Sequence, residues 1–215
     1  MIVAIDGPAA SGKGTLARNL AQHLNYAYLD TGALYRTVAK IVLDAGQDPA
    51  DEQAAHAAAL QLQKTVSAAL LADPAIRHDA IGNAAAKVAA IPSVRQALLD
   101  LQRNFAKTPP NQLLGAILDG RDIGTVICPD AQVKLYVVAD ASIRAERRTK
   151  ELQSKGIETN YEAVLADMRA RDERDAGRKG APLKPADDAV VLDTTRLSEQ
   201  QVFQAALDLI KARTP

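Results

Sequence analysis

Short apolar runs alternate with longer amphipathic stretches along the chain. The runs IVAI, YAYL, LLGAIL, VKLYVV and VVL predict strands at residues 2–5, 26–29, 113–118, 133–138 and 190–192. Leu16, Leu20 and Leu24 recur at helical spacing, and Asn25 is predicted to end that helix. The last helix is predicted to begin near LSEQQVF, with Ser198 as its cap. Strands alternating with helices predict a three-layer α/β domain with a five-stranded parallel sheet.

Two long stretches between the predicted strands lack a strand pattern. Residues 51–107 are rich in alanine and favour helix, with Pro92 near a helix start. Residues 141–180 predict two helices dense in charged residues. We therefore expect a single domain over 1–215, with a helical insertion within 32–107 and a second inserted region at 141–180.

Composition narrows the classes of function. The 215 residues include 26 Lys and Arg and 26 Asp and Glu, so no net charge attracts the chain to nucleic acid or anionic membranes. Aromatic residues make up only 3%, which leaves few rings for base stacking. The single cysteine cannot form an internal disulfide, and neither a signal peptide nor a membrane-spanning run is evident. We expect a cytoplasmic monomer without nucleic-acid or membrane partners.

The segment AIDGPAASGKGT, residues 4–15, nearly matches the phosphate-binding P-loop and lies between a predicted strand and a predicted helix. In such loops, backbone N–H groups and the helix N-terminus surround phosphate oxygens. Lys13 is predicted to bridge the β- and γ-phosphates of ATP. The predicted ATP-binding residues are Gly7, Ala9, Ala10, Ser11, Gly12, Lys13, Gly14, Thr15 and Leu16. The alternative is an ordinary glycine turn with a solvated Lys13.

The loop reads GKGT, with the hydroxyl residue one position later than in GK[ST], and this form resembles the loop of nucleoside monophosphate kinases. Two further segments follow predicted strands, LDTGALYR at 29–36 and LDGRDIGTV at 118–126. Together with RDERDAGR and ADDAVVLDTT, they resemble the bacterial-type cytidylate kinase family over nearly the whole chain. The resemblance implies a P-loop kinase fold and, in pyrimidine nucleotide metabolism, transfer of the γ-phosphoryl group of ATP, with Mg²⁺, to CMP and dCMP.

The acceptor side needs cationic groups that neutralise the CMP phosphate while leaving one oxygen free to attack, a task suited to arginine. The candidates for this task are Arg36, Arg95 and Arg121. The resemblance implies Thr31 near the acceptor nucleotide, Asp122 and Arg178 at the base, and Arg171 and Asp175 at the sugar. For Asp122, a turn ion pair with Arg121 is the alternative.

Residues 141–180 are rich in arginine. The resemblance implies that this region forms a lid over ATP. The best candidates for catalysis are Arg147, Arg148 and Arg174. In isolation these helices would be interpreted as solvated surfaces with charge pairs. Asp119, at the end of a predicted strand, is expected to hold Mg²⁺ together with Thr15, with a turn cap as its alternative.

The sequence departs from the family in two places. Ala86 stands where the family often has a hydroxyl residue that contacts the base. Residues 51–90 are shorter and richer in alanine than the small β-rich insertion common in bacterial members. Two alternatives therefore stay open: a P-loop kinase for another monophosphate or a small metabolite, and a regulator that binds ATP without transferring phosphate.

Overall fold

The structure, a computed structural model, describes residues 1–178 and 180–213. Lys179, inside the predicted lid region, lies outside the described residues, as do the last two residues of the expected domain. The chain divides into two compact units. The first unit comprises Met1–Leu29 with Pro109–Pro215, and the second comprises Asp30–Thr108.

Within the described residues, five strands form one sheet. They are β1 (Ile2–Asp6), β2 (Ala27–Asp30), β3 (Ala116–Gly120), β4 (Val133–Val138) and β5 (Val190–Asp193). Their order is β2-β3-β1-β4-β5, and β1 pairs in parallel with both β3 and β4. The sequence prediction of an α/β fold with a five-stranded parallel sheet is confirmed.

One strand begins later than predicted. The run LLGAIL predicted a strand from residue 113, but β3 begins at Ala116, which pairs with Ile2 at the start of β1. Leu113 ends a 3₁₀ turn, and Leu114 is 87% exposed. An apolar residue that exposed cannot lie in a strand buried on both faces, so hydrophobicity alone misplaced this boundary.

The helices connect these strands and follow β5. They are α1 (Lys13–Leu24), α2 (Thr31–Asp44), α3 (Glu52–Thr65), α4 (Ala68–Ala72), α5 (Asp79–Val88), α6 (Pro92–Lys107), α7 (Ala141–Ser154), α8 (Tyr161–Ala176) and α9 (Glu199–Lys211). As predicted, α1 ends at Asn25, which has a left-handed backbone, and α9 begins at a capping box formed by Ser198 and Gln201. In the described ranges 1–178 and 180–213, none of these helices combines the length and apolar character needed to cross a bilayer.

Each unit has a core of its own. In the first unit, Val3, Ile5 and Leu135 of the sheet pack with Leu20 of α1 and Ile210 of α9. The second unit is helical over residues 51–107, in agreement with the alanine-rich composition. Its fully buried side chains include Leu34, Val38, Leu62, Ile76, Val88, Val94 and Leu98.

Candidate active site

The loop between β1 and α1, residues 7–12, is shaped by its backbone, and we call it the glycine loop. Gly7 has φ 153°, and a Cβ there would lie 2.1 Å from the carbonyl oxygen of Val137, so a larger residue does not fit. Ala10 and Gly12 also have positive φ, 56° and 88°. Because α1 begins at Lys13, its first N–H groups, which have no partners inside the helix, adjoin this loop.

Polar side chains around the glycine loop bond to its carbonyl groups. The ammonium group of Lys13 donates to the carbonyl oxygen of Pro8 at 3.2 Å. Thr194, which follows β5, has its hydroxyl 3.2 Å from the carbonyl oxygen of Ser11. Arg147 donates to the hydroxyl and the carbonyl of Thr194 at 3.2 and 2.9 Å. The structure therefore places two predicted residues, Lys13 and Arg147, at the same loop.

Gly14, the residue between Lys13 and Thr15, packs closely against Asp119. A Cβ at Gly14 would lie 3.1 Å from Oδ2 of Asp119, a tighter approach than most side chains tolerate. The Tyr28 hydroxyl lies 3.4 Å from the other oxygen of this carboxylate. Because Gly14 has no side chain, the carboxylate of Asp119 has room beside its backbone, next to Thr15. In the described part of the chain, no three His, Cys, Asp or Glu side chains are grouped as a metal site.

A cavity of about 110 Å³ borders the glycine loop. Gly12 and Thr15 line it from the loop and α1, and Arg147 lines it from α7. Leu197 and Phe203 form an apolar wall of the cavity. An apolar wall beside a guanidinium group suits a flat heteroaromatic ring, because both can pack against its faces.

Asp175 gathers several of the predicted acceptor residues. This carboxylate on α8 is 2% exposed; Nε of Arg121 donates to it at 2.8 Å, and Arg178 donates to its other oxygen. Burial raises the pKa of Asp175, but the charges of Arg121 and Arg178, with a contribution from Arg171, outweigh burial and leave the pKa below its usual value. Four residues that were predicted for three different roles, at the phosphate, the base and the sugar, therefore form one electrostatic cluster.

The other arginines of α7 and α8 differ in their contacts. Arg144, 5% exposed, donates to Asp172 on α8 at 2.6 and 3.3 Å and to the carbonyl oxygen of Ala9 at 3.2 Å. Arg148 pairs with Glu151 on its own helix at 2.9 Å. Arg174 donates to the carbonyl oxygen of Ala170 at 3.3 Å. Arg144, which sequence reasoning did not place in the site, thus connects the glycine loop to α8.

In the second unit, Asp30 holds one predicted residue, Arg36, together with Arg77. Its carboxylate accepts from Arg36 and from Arg77, each at 2.7 Å, and caps α2 by accepting from the amide of Ala33 at 3.1 Å. Thr31 is buried as the first residue of α2. The guanidinium carbon of Arg95 lies 5.7 Å from the centre of the Tyr35 ring, within the range of cation–π attraction.

Asp6 is a second residue that sequence reasoning missed. It ends β1 immediately before Gly7, and its carboxylate accepts from the amides of Ile123 and Gly124, each at 2.8 Å. Burial raises its pKa to about 6, while the two amides lower the pKa only in part. The available signal was a carboxylate at the end of an apolar strand, where burial demands a partner. Asp122, which is predicted to contact the cytosine base, precedes Ile123 and is 5% exposed.

Comparison with known proteins gives a consistent result. The family model described as Cytidylate kinase matches residues 3–212. A cytidylate kinase of Rhodospirillum rubrum is 56% identical over 210 residues, which are 98% of this chain and 97% of that protein. One from Paramagnetospirillum magneticum is 58% identical over 212 residues, 99% and 98% of the two chains. A solved structure of an uncharacterized protein from Eubacterium ventriosum has a similar fold, with a TM-score of 0.52, 14% identity, and coverage of 99% and 97%.

Proposed function

The chain belongs to the cytidylate kinase family, and we infer from this that it is a phosphotransferase that moves the γ-phosphoryl group of ATP to CMP, forming CDP and ADP. Curated relatives that share more than half of its residues over almost the whole chain support this activity. In the structure, the glycine loop at the N-terminus of α1 is the observation that carries it, because such a loop binds phosphate oxygens. We extend the proposal to dCMP as a second acceptor.

On the donor side, residues Gly7 to Leu16 bind the phosphates of ATP. Lys13 neutralises charge on the β- and γ-phosphates, and its present bond to a carbonyl oxygen is exchanged for phosphate oxygens. The cavity beside the loop takes the adenine ring against the apolar wall formed by Leu197 and Phe203. Arg147, which bonds to Thr194 beside the loop, is assigned to stabilise the charge that develops during transfer.

Thr15 and Asp119 would hold Mg²⁺. A hydroxyl and a carboxylate oxygen are ligands that this cation prefers, and Asp119 lies against the backbone of Gly14, next to Thr15. When bound, Mg²⁺ would supply positive charge that neutralises the phosphates of ATP.

On the acceptor side, arginines bind the CMP phosphate and polar side chains bind its nucleoside. Arg36, Arg95 and Arg121 are assigned to the phosphate, and Thr31 to the nucleotide as a whole. Asp122 and Arg178 pair with the cytosine edge, since an amino donor beside ring acceptors requires a carboxylate and a cationic donor. Arg171 and Asp175 bind the sugar.

We also propose roles for the two inserted regions, a cellular location and an oligomeric state. Residues 141–180 act as the lid, and Arg148 and Arg174 turn towards ATP when it is bound. The helices within 32–107 serve as the acceptor-binding insertion. The protein acts as a cytoplasmic monomer, and its balanced charge supports the absence of nucleic-acid and membrane partners.

The test is an ADP-release assay with ATP and Mg²⁺ and, in parallel, CMP, dCMP, UMP, AMP and shikimate. We expect CMP and dCMP to be the preferred acceptors, and Lys13→Ala to lower kcat by about 10²–10³-fold without unfolding the protein. Lys64→Ala, at an exposed position of α3, is the control and should leave kcat unchanged. Preference for another acceptor, or ATP binding without transfer to any of them, would overturn the proposal.

A further inference from the structure

The carboxylate of Asp6 is fully engaged with backbone groups of another segment. In the sheet, Asp6 lies opposite Gly120, the last residue of β3. Its two oxygens accept from the amides of Ile123 and Gly124, each at 2.8 Å, and the residue is 5% exposed. Two such bonds fix both the distance and the orientation of the turn that follows β3.

That turn needs an acceptor at its start. Residues Ile123–Ile127 form a short π-helical turn in which the carbonyl of Asp122 accepts from Val126 and Ile127 at 2.9 and 3.2 Å. The first amides of a helical turn have no acceptor inside it. Asp6 supplies that acceptor from the neighbouring strand, so it acts as a cap that is distant in sequence.

The backbone at Gly124 is also closely packed. A Cβ there would lie 3.2 Å from Cδ of the buried Lys134 and 3.5 Å from Oδ2 of Asp6. The turn is therefore held by hydrogen bonds to Asp6 and by packing against the Lys134 side chain. A change at Asp6 removes the first constraint and leaves the second.

The residues immediately before the bonded amides are Arg121 and Asp122. Both lie close enough to Asp6 to influence its carboxylate electrostatically. We propose that Asp6 is a positioning residue for the acceptor nucleotide: by bonding the amides of Ile123 and Gly124 it holds Asp122 and Arg121 in the orientation that binds CMP. This inference rests on the proposed function, which assigns Asp122 to the base and Arg121 to the phosphate.

The first experiment replaces Asp6 by asparagine, which has the same shape. The amide oxygen of asparagine can accept one N–H, but its NH₂ group would face the other N–H, so one bond becomes a repulsion between donors. We expect KM for CMP to rise about tenfold, while KM for ATP and kcat stay within about twofold, because the lost bond is to the turn that carries the acceptor residues. An equal rise in KM for ATP, or a fall in kcat alone, would overturn the inference.

The control is Thr125→Val in the same turn. The Thr125 hydroxyl is buried and has no hydrogen-bond partner among the described residues, so its removal should leave both KM values unchanged. Asp122→Ala separates this inference from the proposed function. If Asp122→Ala raises KM for CMP and Asp6→Asn does not, Asp6 has no positioning role; if Asp122→Ala also has no effect, the assignment of Asp122 to the base fails.

A second measurement applies even if Asp6→Asn does not fold. Amide hydrogen exchange of the wild-type protein reports the two bonds directly, since an amide bonded to a buried carboxylate exchanges slowly. We expect the amides of Ile123 and Gly124 to be protected, and CMP alone to slow their exchange further. Rapid exchange, or exchange that CMP does not alter, would contradict the proposal.

Discussion

Asp6 and Asp175 are two buried carboxylates of the same unit with opposite electrostatics. Asp6 is 5% exposed and bonds to two neutral backbone amides, and its pKa is raised to about 6. Asp175 is 2% exposed and bonds to Arg121 and Arg178, and its pKa is lowered. With burial similar, the difference lies in the partners: full positive charges compensate for lost hydration, whereas two amide dipoles compensate only in part.

The partners also differ in what a ligand can exchange. The amides that bond Asp6 belong to the main chain, so their positions are set by the turn after β3. The guanidinium groups around Asp175 are at the ends of long side chains and can redirect a hydrogen bond to phosphate, sugar or base. We infer that Asp6 is part of the permanent framework, whereas Asp175 holds arginines close together until substrate binds.

Removal of the Asp175 charge should have the largest effect. Asp175→Asn leaves two guanidinium groups, with 17% and 15% of their side chains exposed, beside a neutral amide. We expect the free energy of unfolding to fall by about 3–5 kcal/mol, and kcat/KM for CMP to fall about 10–100-fold, as for the loss of a charge-assisted hydrogen bond. Urea unfolding and steady-state kinetics measure both. Asp167→Asn, exposed on the same helix, is the control; equal losses in both variants would contradict the expectation.

The dependence of stability on pH should have opposite signs for the two carboxylates. The pKa of Asp6 rises on folding from 3.8 to about 6, so its stabilising contribution is greatest below pH 4 and is lost as pH rises through 6. The difference in unfolding free energy between wild type and Asp6→Asn should therefore fall by on the order of 3 kcal/mol from pH 4 to 7. For Asp175 the contribution is present above pH 4 and is lost as pH falls further. Urea unfolding from pH 3 to 7 tests this, and parallel curves for the two variants would contradict it.

The smallest effect is expected at Asp30, the carboxylate that holds arginines in the second unit. Its partner Arg77 has a side chain that is 45% exposed, and water weakens such pairs. Asp30→Asn keeps the cap of α2, because asparagine caps helices as well as aspartate does. We expect a loss of about 1 kcal/mol in unfolding free energy, measured by urea unfolding. Asp51→Asn, which changes the cap of α3 in the same way, is the control, and a loss above that for Asp175→Asn would reverse the comparison.

Elements governed by local backbone preference were predicted well from the sequence. The glycine loop, the end of α1 at Asn25 and the cap of α9 at Ser198 all appear where the residues predicted them. The start of β3 was misplaced, because Leu113 and Leu114 are apolar but have no place in the sheet. Hydrophobicity predicts that a segment can be buried, but only strand pairing decides where burial begins.

In the candidate site, too, some features follow from the sequence and others only from tertiary contacts. The sequence by itself determined the glycine loop and the order of strands and helices along the chain, because these follow from local conformation. The residue types for acceptor binding stay a prediction from chemical resemblance. Only the tertiary structure decided that Asp175 gathers Arg121 and Arg178, that Arg144 bonds to Ala9, and that Asp6 caps a turn 117 residues away. These contacts depend on which strands and helices are neighbours in space, such as β1 beside β3. The sequence can indicate that a charged residue will be buried and will therefore need a partner. Which residue becomes that partner depends on which strands lie side by side in the sheet.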